Sequence, residues 1–127
     1  MPSLSVRINL DPEGKIGPGK IELLEKIASL GSISAAGRAM DMSYKRAWEL
    51  VEETNQIFGK PVAVRRAGGK RGGGATLTPF GLVLVARFRA IERAAADAAR
   101  VHMAALQTEV EKIEEDGRST ADTSDVP

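Results

Sequence analysis

The chain of 127 residues has no cysteine. That excludes a disulfide framework and removes thiolate chemistry, whether nucleophilic or metal-binding. It has a single histidine, His102, with no second histidine near it, so neither a metal site nor histidine acid–base catalysis is expected and His102 is read as structural or solvated. No apolar run approaches the roughly 18–20 residues that span a bilayer. The N-terminus, MPSLSVRINLDPEG, carries an early acid and lacks the apolar core of a signal peptide, which points to the cytoplasm. No carboxylate pair stands in a recognisable pocket context, since Glu52 and Glu53 are adjacent and would face different directions on a helix. The expectation is a protein that is not an enzyme. There are no internal repeats.

One absence is local. Between Glu53 and Glu92 there is no acid, while Lys60, Arg65, Arg66, Lys70, Arg71, Arg87 and Arg89 all fall there. The formal net charge of +1 hides this asymmetry, because residues 1–108 hold 16 basic and 10 acidic residues and the acids collect in the tail. A basic body with an acidic tail suits a polyanion binder, although a charge run alone also describes a solvated face.

Leu4, Val6, Ile8 and Leu10 alternate with polar residues and read as a half-buried strand, broken by the turn residues of DPEGKIGPG. Lys20–Leu30 reads as a helix with Ile21, Leu24, Ile27, Ala28 and Leu30 on its apolar side and Gly31 just past its end. The next stretch, SISAAGRAMDMSYKRAWELV at 32–51, reads as two short helices: one capped by Ser34 and ending near Met40, the other capped by Ser43 and running to about Phe58. A single continuous helix would carry Gly37 at a cost of about 1 kcal/mol, with Asp41 and Ser43 unfavourable as well. A helix-turn-helix explains all three. Its shared core would be Ile33, Ala36, Met40, Met42, Ala47, Leu50 and Val51, with Gly37 where the backbones approach.

On this reading Ser43, Tyr44, Lys45, Arg46 and Glu49 stand at the exposed N-terminal end of the second helix, the end that contacts base edges in helix-turn-helix proteins. Lys and Arg can donate to guanine O6 and N7, while Ser and Tyr more often hold phosphates. Trp48 has two readings, a half-buried ring wedged beside Tyr44 or a direct DNA contact. Glu52 and Glu53 are read as outward and solvated.

PVAVRRA and ATLT flank the glycine-rich GGKRGGG and read as a hairpin. A hairpin after a recognition helix is the wing of a winged helix. Its Arg65, Lys70 and Arg71 are candidate DNA contacts, since the glycines let the backbone run close to a narrow, negative minor groove. A basic turn without that role is the other reading. A nucleotide-phosphate loop is rejected, because no helix follows the glycines at once and no G-x-x-x-x-G-K-[ST] is present.

Thr78-Pro79 opens a helix expected to run to about Asp116. Phe88, Ile91, Ala95, Ala99, Met103, Leu106, Val110 and Ile113 step by 3, 4, 4, 4, 3, 4 and 3 along it, a near-heptad seam. A second chain is the obvious cover, and two-fold dimers suit inverted-repeat sites. The expected organisation is a winged helix-turn-helix at 1–78, a dimerisation helix at 79–116 and a disordered acidic tail at 117–127: a mainly α fold with a small β wing.

The order of elements resembles the DNA-binding part of LysR-class winged-helix regulators, and more closely the ModE branch of molybdate-responsive bacterial regulators. The residues that carry the resemblance are GSISAAGRAMDMSYKRAW at 31–48 and NQIFGKPVAVRRAGGKRGGGATLTPFG at 55–81. It implies a homodimeric transcription regulator that dimerises through its first and last helices, with Ser43, Tyr44, Lys45 and Arg46 in the major groove and Lys70 and Arg71 in the wing contact. Full-length members carry C-terminal β-barrel domains that bind molybdate or tungstate. No second run of strands follows here, and no cofactor is expected. The partners expected are double-stranded DNA and a second copy of the chain, with no membrane. The alternative function is a protein-interaction or adaptor module that keeps the winged fold and works through its long helix.

Overall fold

A computed structural model describes the backbone at residues 1–66 and 74–123, and side chains as far as residue 117. The elements are β1 (Ile8–Leu10), β2 (Gly14–Ile16), α1 (Pro18–Leu30), α2 (Ile33–Ala39), α3 (Tyr44–Phe58), β3 (Ala63–Arg66), β4 (Gly74–Leu77) and α4 (Pro79–Thr123). Two compact units divide them: Ser5–Ile91, and Met1–Leu4 with Glu92–Pro127.

The first unit is a winged helix built on one core. Ile21, Leu23, Leu24 and Ile27 of α1, Ile33 and Ala36 of α2, Ala47 and Val51 of α3, Val62, Ala63, Ala75 and Leu77 around the second hairpin, and Leu84 and Phe88 of α4 are all buried. In α1 the inward face includes Leu23, whereas Ala28 and Leu30 are exposed, so the expected apolar side was rotated slightly from the real one. Strands β3 and β4 pair antiparallel in the register Ala63↔Leu77 to Arg66↔Gly74, and the amide of Ala75 donates to the Gly31 carbonyl at 2.8 Å, docking the hairpin on the end of α1.

The helix ends follow their capping residues. Gly31 closes α1 at φ 80°, a left-handed conformation that favours glycine, and Gly59 closes α3 at φ 66°. The Ser43 hydroxyl accepts from the Arg46 amide at 3.0 Å, and the Thr78 hydroxyl from the Gly81 amide at 3.0 Å. The cap of α2 is Ser32, whose hydroxyl accepts from the Ala35 amide at 3.0 Å, and not Ser34, whose hydroxyl instead accepts from Arg38 Nη1 at 2.9 Å. α1 starts at Pro18 rather than Lys20, because proline at the first helical position is already set for the helix.

Two boundaries differ further from the sequence expectation. The N-terminal strand is shorter, and GKI, expected in the break, forms β2 and pairs as Ile8↔Ile16 and Leu10↔Gly14. Ile16 is 1% exposed, so burying it against the core draws the segment into extended pairing. α4 continues through Thr123, past the expected end near Asp116.

Candidate nucleic-acid interface

The helix-turn-helix crossing is close. A Cβ added at Gly37 would lie 3.2 Å from Ala47 Cβ and 3.3 Å from the Met42 carbonyl oxygen. The Met42 amide donates to the Gly37 carbonyl at 2.9 Å, and Asp41 turns the chain at φ 55°, a left-handed conformation that Asp tolerates better than most residues. The crossing buries Ala47, Val51 and Thr54 of α3, and the buried Thr54 hydroxyl donates to the Leu50 carbonyl at 2.8 Å. Tyr44, Lys45 and Arg46 are left in solvent on the first turn, with Glu49 one turn on.

Each flank of α3 has its own chemistry. On one side Tyr44 and Trp48, a turn apart, receive Arg65 from β3. Arg65 Nη2 donates to the Tyr44 hydroxyl at 2.6 Å, and the guanidinium carbon lies 4.3 Å from the centroid of the half-buried Trp48 ring. Cation–π contacts of this kind contribute about 0.5–1 kcal/mol at exposed sites. The base of the second hairpin is thereby fixed to α3, with no carboxylate against the Arg65 charge among the described residues. Beside it the Asn55 side-chain oxygen accepts from the Val62 amide at 2.8 Å, joining the last turns of α3 to the start of the hairpin.

On the other side Arg46 Nη1 lies 3.5 Å from Glu49 Oε2 and 3.7 Å from Glu53 Oε1, while Glu53 Oε2 lies 3.4 Å from Lys20 Nζ. Glu53 is thus not merely solvated; it bridges α1 and α3. Lys45 has no ion-pair partner among the described residues.

The basic interval after Glu53 is heterogeneous. Arg89 makes a bidentate bond to Glu25 of α1, Nε to Oε2 at 3.1 Å and Nη2 to Oε1 at 2.6 Å. That hydrogen bond, opposed by partial burial and helped by the charges of Arg89 and Lys26, holds the Glu25 carboxyl below the usual carboxylate range. Lys60 sits over the Phe80 ring at 4.1 Å. Arg66 and Arg87 are exposed. Lys70 and Arg71, the predicted wing contacts, lie outside the described residues.

The predicted seam on α4 divides as well. Phe88 is 1% exposed and belongs to the core of the first unit, so it cannot face a second chain. Ile91, Leu106, Val110 and Ile113 are 44–70% exposed, and Ala95, Ala99 and Met103 are half-buried. His102 is exposed, and no group of acids or histidines placed to hold a metal occurs among the described residues. No described helix is long and apolar enough to cross a membrane.

Sequence reasoning offered Trp48 as a ring beside Tyr44 but missed Arg65 as the cation that the two aromatic side chains receive. The signal available was the four-residue spacing of the two aromatic side chains on a helix, with a cation on the following strand.

No family model matches the chain. Curated proteins do. It is 46% identical over 78 residues to the molybdenum-pterin-binding protein MopB of Rhodobacter capsulatus, covering 61% of this chain and 29% of that protein. It is 40% identical over 88 residues to the molybdenum transport protein ModE of Azotobacter vinelandii, covering 68% and 33%. It is 44% identical over 68 residues to the DNA-binding transcriptional dual regulator ModE of Escherichia coli K12, covering 54% and 26%. The chain is a relative of the ModE regulators. It spans a third or less of the length of these ModE and Mop relatives. Among solved structures, ArgP from Mycobacterium tuberculosis aligns over 71% of this chain and 29% of that one, at 21% identity and a TM-score of 0.44. That likeness is slight, and the winged-helix assignment stands on the chain's own elements.

Proposed function

We propose that the chain is a sequence-specific DNA-binding transcriptional regulator that acts as a homodimer on an inverted repeat, controlling genes connected with molybdenum. The observation that carries this is the exposed first turn of α3, with Tyr44, Lys45 and Arg46 in solvent and Arg65 of the wing base locked beside them. Ser43 caps the helix and leaves its start facing outward, where phosphates are favoured. The relatives include a DNA-binding transcriptional regulator, and several carry molybdenum in their names, which supports the regulated class.

In this reading Lys45 and Arg46 read base edges, Glu49 accepts from cytosine N4, and Ser43, Tyr44 and Arg65 hold phosphates. Lys70 and Arg71 extend the wing contact. Ile91, Ala95, Ala99, Met103, Leu106 and Val110 form the dimer seam, supported by the exposure of Leu106 and Val110 at 69% and 49%. Fluorescence anisotropy on a matched set of duplexes tests the assignment. Replacing Lys45 and Arg46 by alanine should flatten the ranking of sequences; an unchanged ranking would remove α3 as the reader.

A further inference from the structure

Within the first unit, a cavity of about 380 Å³ is bordered by Arg7, Lys15, Lys20 and Arg46, with Met42 and Leu50 behind them. No carboxylate lines it. Glu53 stands beside it, shared between Lys20 Nζ at 3.4 Å and Arg46 Nη1 at 3.7 Å, and the Lys20 ammonium also donates to the Lys15 carbonyl at 2.9 Å. Arg7 and Lys15 are exposed and have no ion-pair partner among the described residues. Four cations therefore border one open cavity, against one carboxylate divided between two of them and Glu49 on Arg46.

We propose that this cavity takes a backbone phosphate of DNA, on the side of α3 opposite Arg65. The inference rests on α3 being the groove-reading helix. A helix in the major groove, about 12 Å wide, runs between two phosphate backbones. Tyr44 and Trp48 present one flank of α3, where Arg65 is bound. Arg46 and Leu50 present the other, and they border this cavity. The two cationic places thus bracket the reading face, one for each strand. A phosphate in the cavity replaces Glu49 and Glu53 as the counter-charge of Arg46, which leaves that guanidinium beside both a phosphate and the base edges. The partner is the DNA backbone, because the cavity is continuous with α3 and its cations come from three separate parts of the chain: the segment before β1, the β2–α1 region and α3.

The test is the salt dependence of duplex binding. In the double variant Arg7→Gln/Lys15→Gln the slope of log K against log salt should become shallower by about one, with the ranking of sequences unchanged. A charge-matched control, Lys26→Gln/Arg87→Gln, should leave the slope near that of the wild type. If the first variant keeps the wild-type slope, or the control loses as much, the cavity is not a phosphate site on DNA. If the first variant binds duplex normally but loses affinity for inorganic phosphate in calorimetry, the cavity serves a free anion and the assignment to DNA is overturned. If the wild-type chain fails to bind any duplex, the reading of α3 falls too, which separates the two failures. Both side chains are exposed, and circular dichroism confirms that the variants fold.

Discussion

Gly81 gives the sharpest test of how the wing is seated. It lies in the first turn of α4, where a glycine is ordinarily worth about 1 kcal/mol less than alanine. Propensity alone therefore says that Gly81→Ala stabilises. The structure says the opposite. An added Cβ would come 2.1 Å from the Val62 carbonyl oxygen and 3.0 Å from its carbon. That carbonyl accepts from the Thr78 amide at 3.0 Å, and Thr78 in turn caps α4 and donates its hydroxyl to the Pro61 carbonyl at 2.8 Å. Accommodating the methyl means moving backbone by more than 1 Å, a larger demand than any flexible side chain would make. Overpacking costs about 1–3 kcal/mol, and a strained or lost backbone hydrogen bond about 1 kcal/mol more. Set against the propensity gain, the net loss is about 1–3 kcal/mol, or a fall in Tm of roughly 5–20 °C for a domain of this size. The assay is urea unfolding followed by circular dichroism at one fixed protein concentration, because a dimer's midpoint depends on it. Gly19→Ala is the internal control: nothing lies within 4 Å of its added Cβ, so it should be neutral or stabilising by up to about 1 kcal/mol. If Gly81→Ala behaves like Gly19→Ala, the packing of α4 under Val62 is wrong.

Other consequences follow from the flanks, the ion pairs and the seam. Trp48→Ala removes the ring under Arg65 and should weaken binding to all duplexes by about two- to fivefold, the scale of one cation–π contact; a change confined to particular sequences would contradict the positioning role. Glu25 has a depressed pKa, so its stabilisation is fully present above the unfolded carboxylate value and is lost as pH falls through the lower folded value. With side chains 31% and 40% exposed, the Arg89–Glu25 pair is discounted to about 0.5 kcal/mol. Glu25→Gln should lose that much at neutral pH and flatten the acid limb of a stability–pH profile, and an unchanged acid limb would show the pair to be inert. Leu106→Glu should shift sedimentation from dimer to monomer while altering unfolding of the monomer by no more than about 0.5 kcal/mol; a persistent dimer would move the interface off this face.

Local chemistry was the legible part of this sequence. Gly37, Asp41 and Ser43 are each awkward inside one helix, and each has a specific place in a turn between two. Gly31 and Thr78-Pro79 mark their helix ends in the same way. By residue type Ser34 reads as the cap of α2, but the extended residue before the helix is Ser32, whose hydroxyl accepts from the Ala35 amide, and Ser34 lies inside the first turn. GKI escaped notice because three residues between turn formers carry too little periodicity, and Ile16 becomes strand only when the core is there to receive it. Phe88 fitted the heptad spacing, but spacing reports that a face is apolar and not what covers it; here α4 turns its early residues into the winged unit. The candidate site was legible by residue type and not by pairing. Charge and spacing pointed to Lys45, Arg46 and Arg65, while the carboxylates on Arg46 and the aromatic seat of Arg65 are long-range arrangements that appear only in the fold.

The central claim, that the exposed start of α3 reads DNA sequence, is tested most directly by selecting bound fragments from a random duplex library with the wild-type chain and with Lys45→Ala/Arg46→Ala. The wild type should enrich an inverted-repeat motif, and the variant should lose the preference at the positions those side chains contact while retaining salt-sensitive binding. Enrichment of the same motif by both proteins, or of none by the wild type, would contradict it.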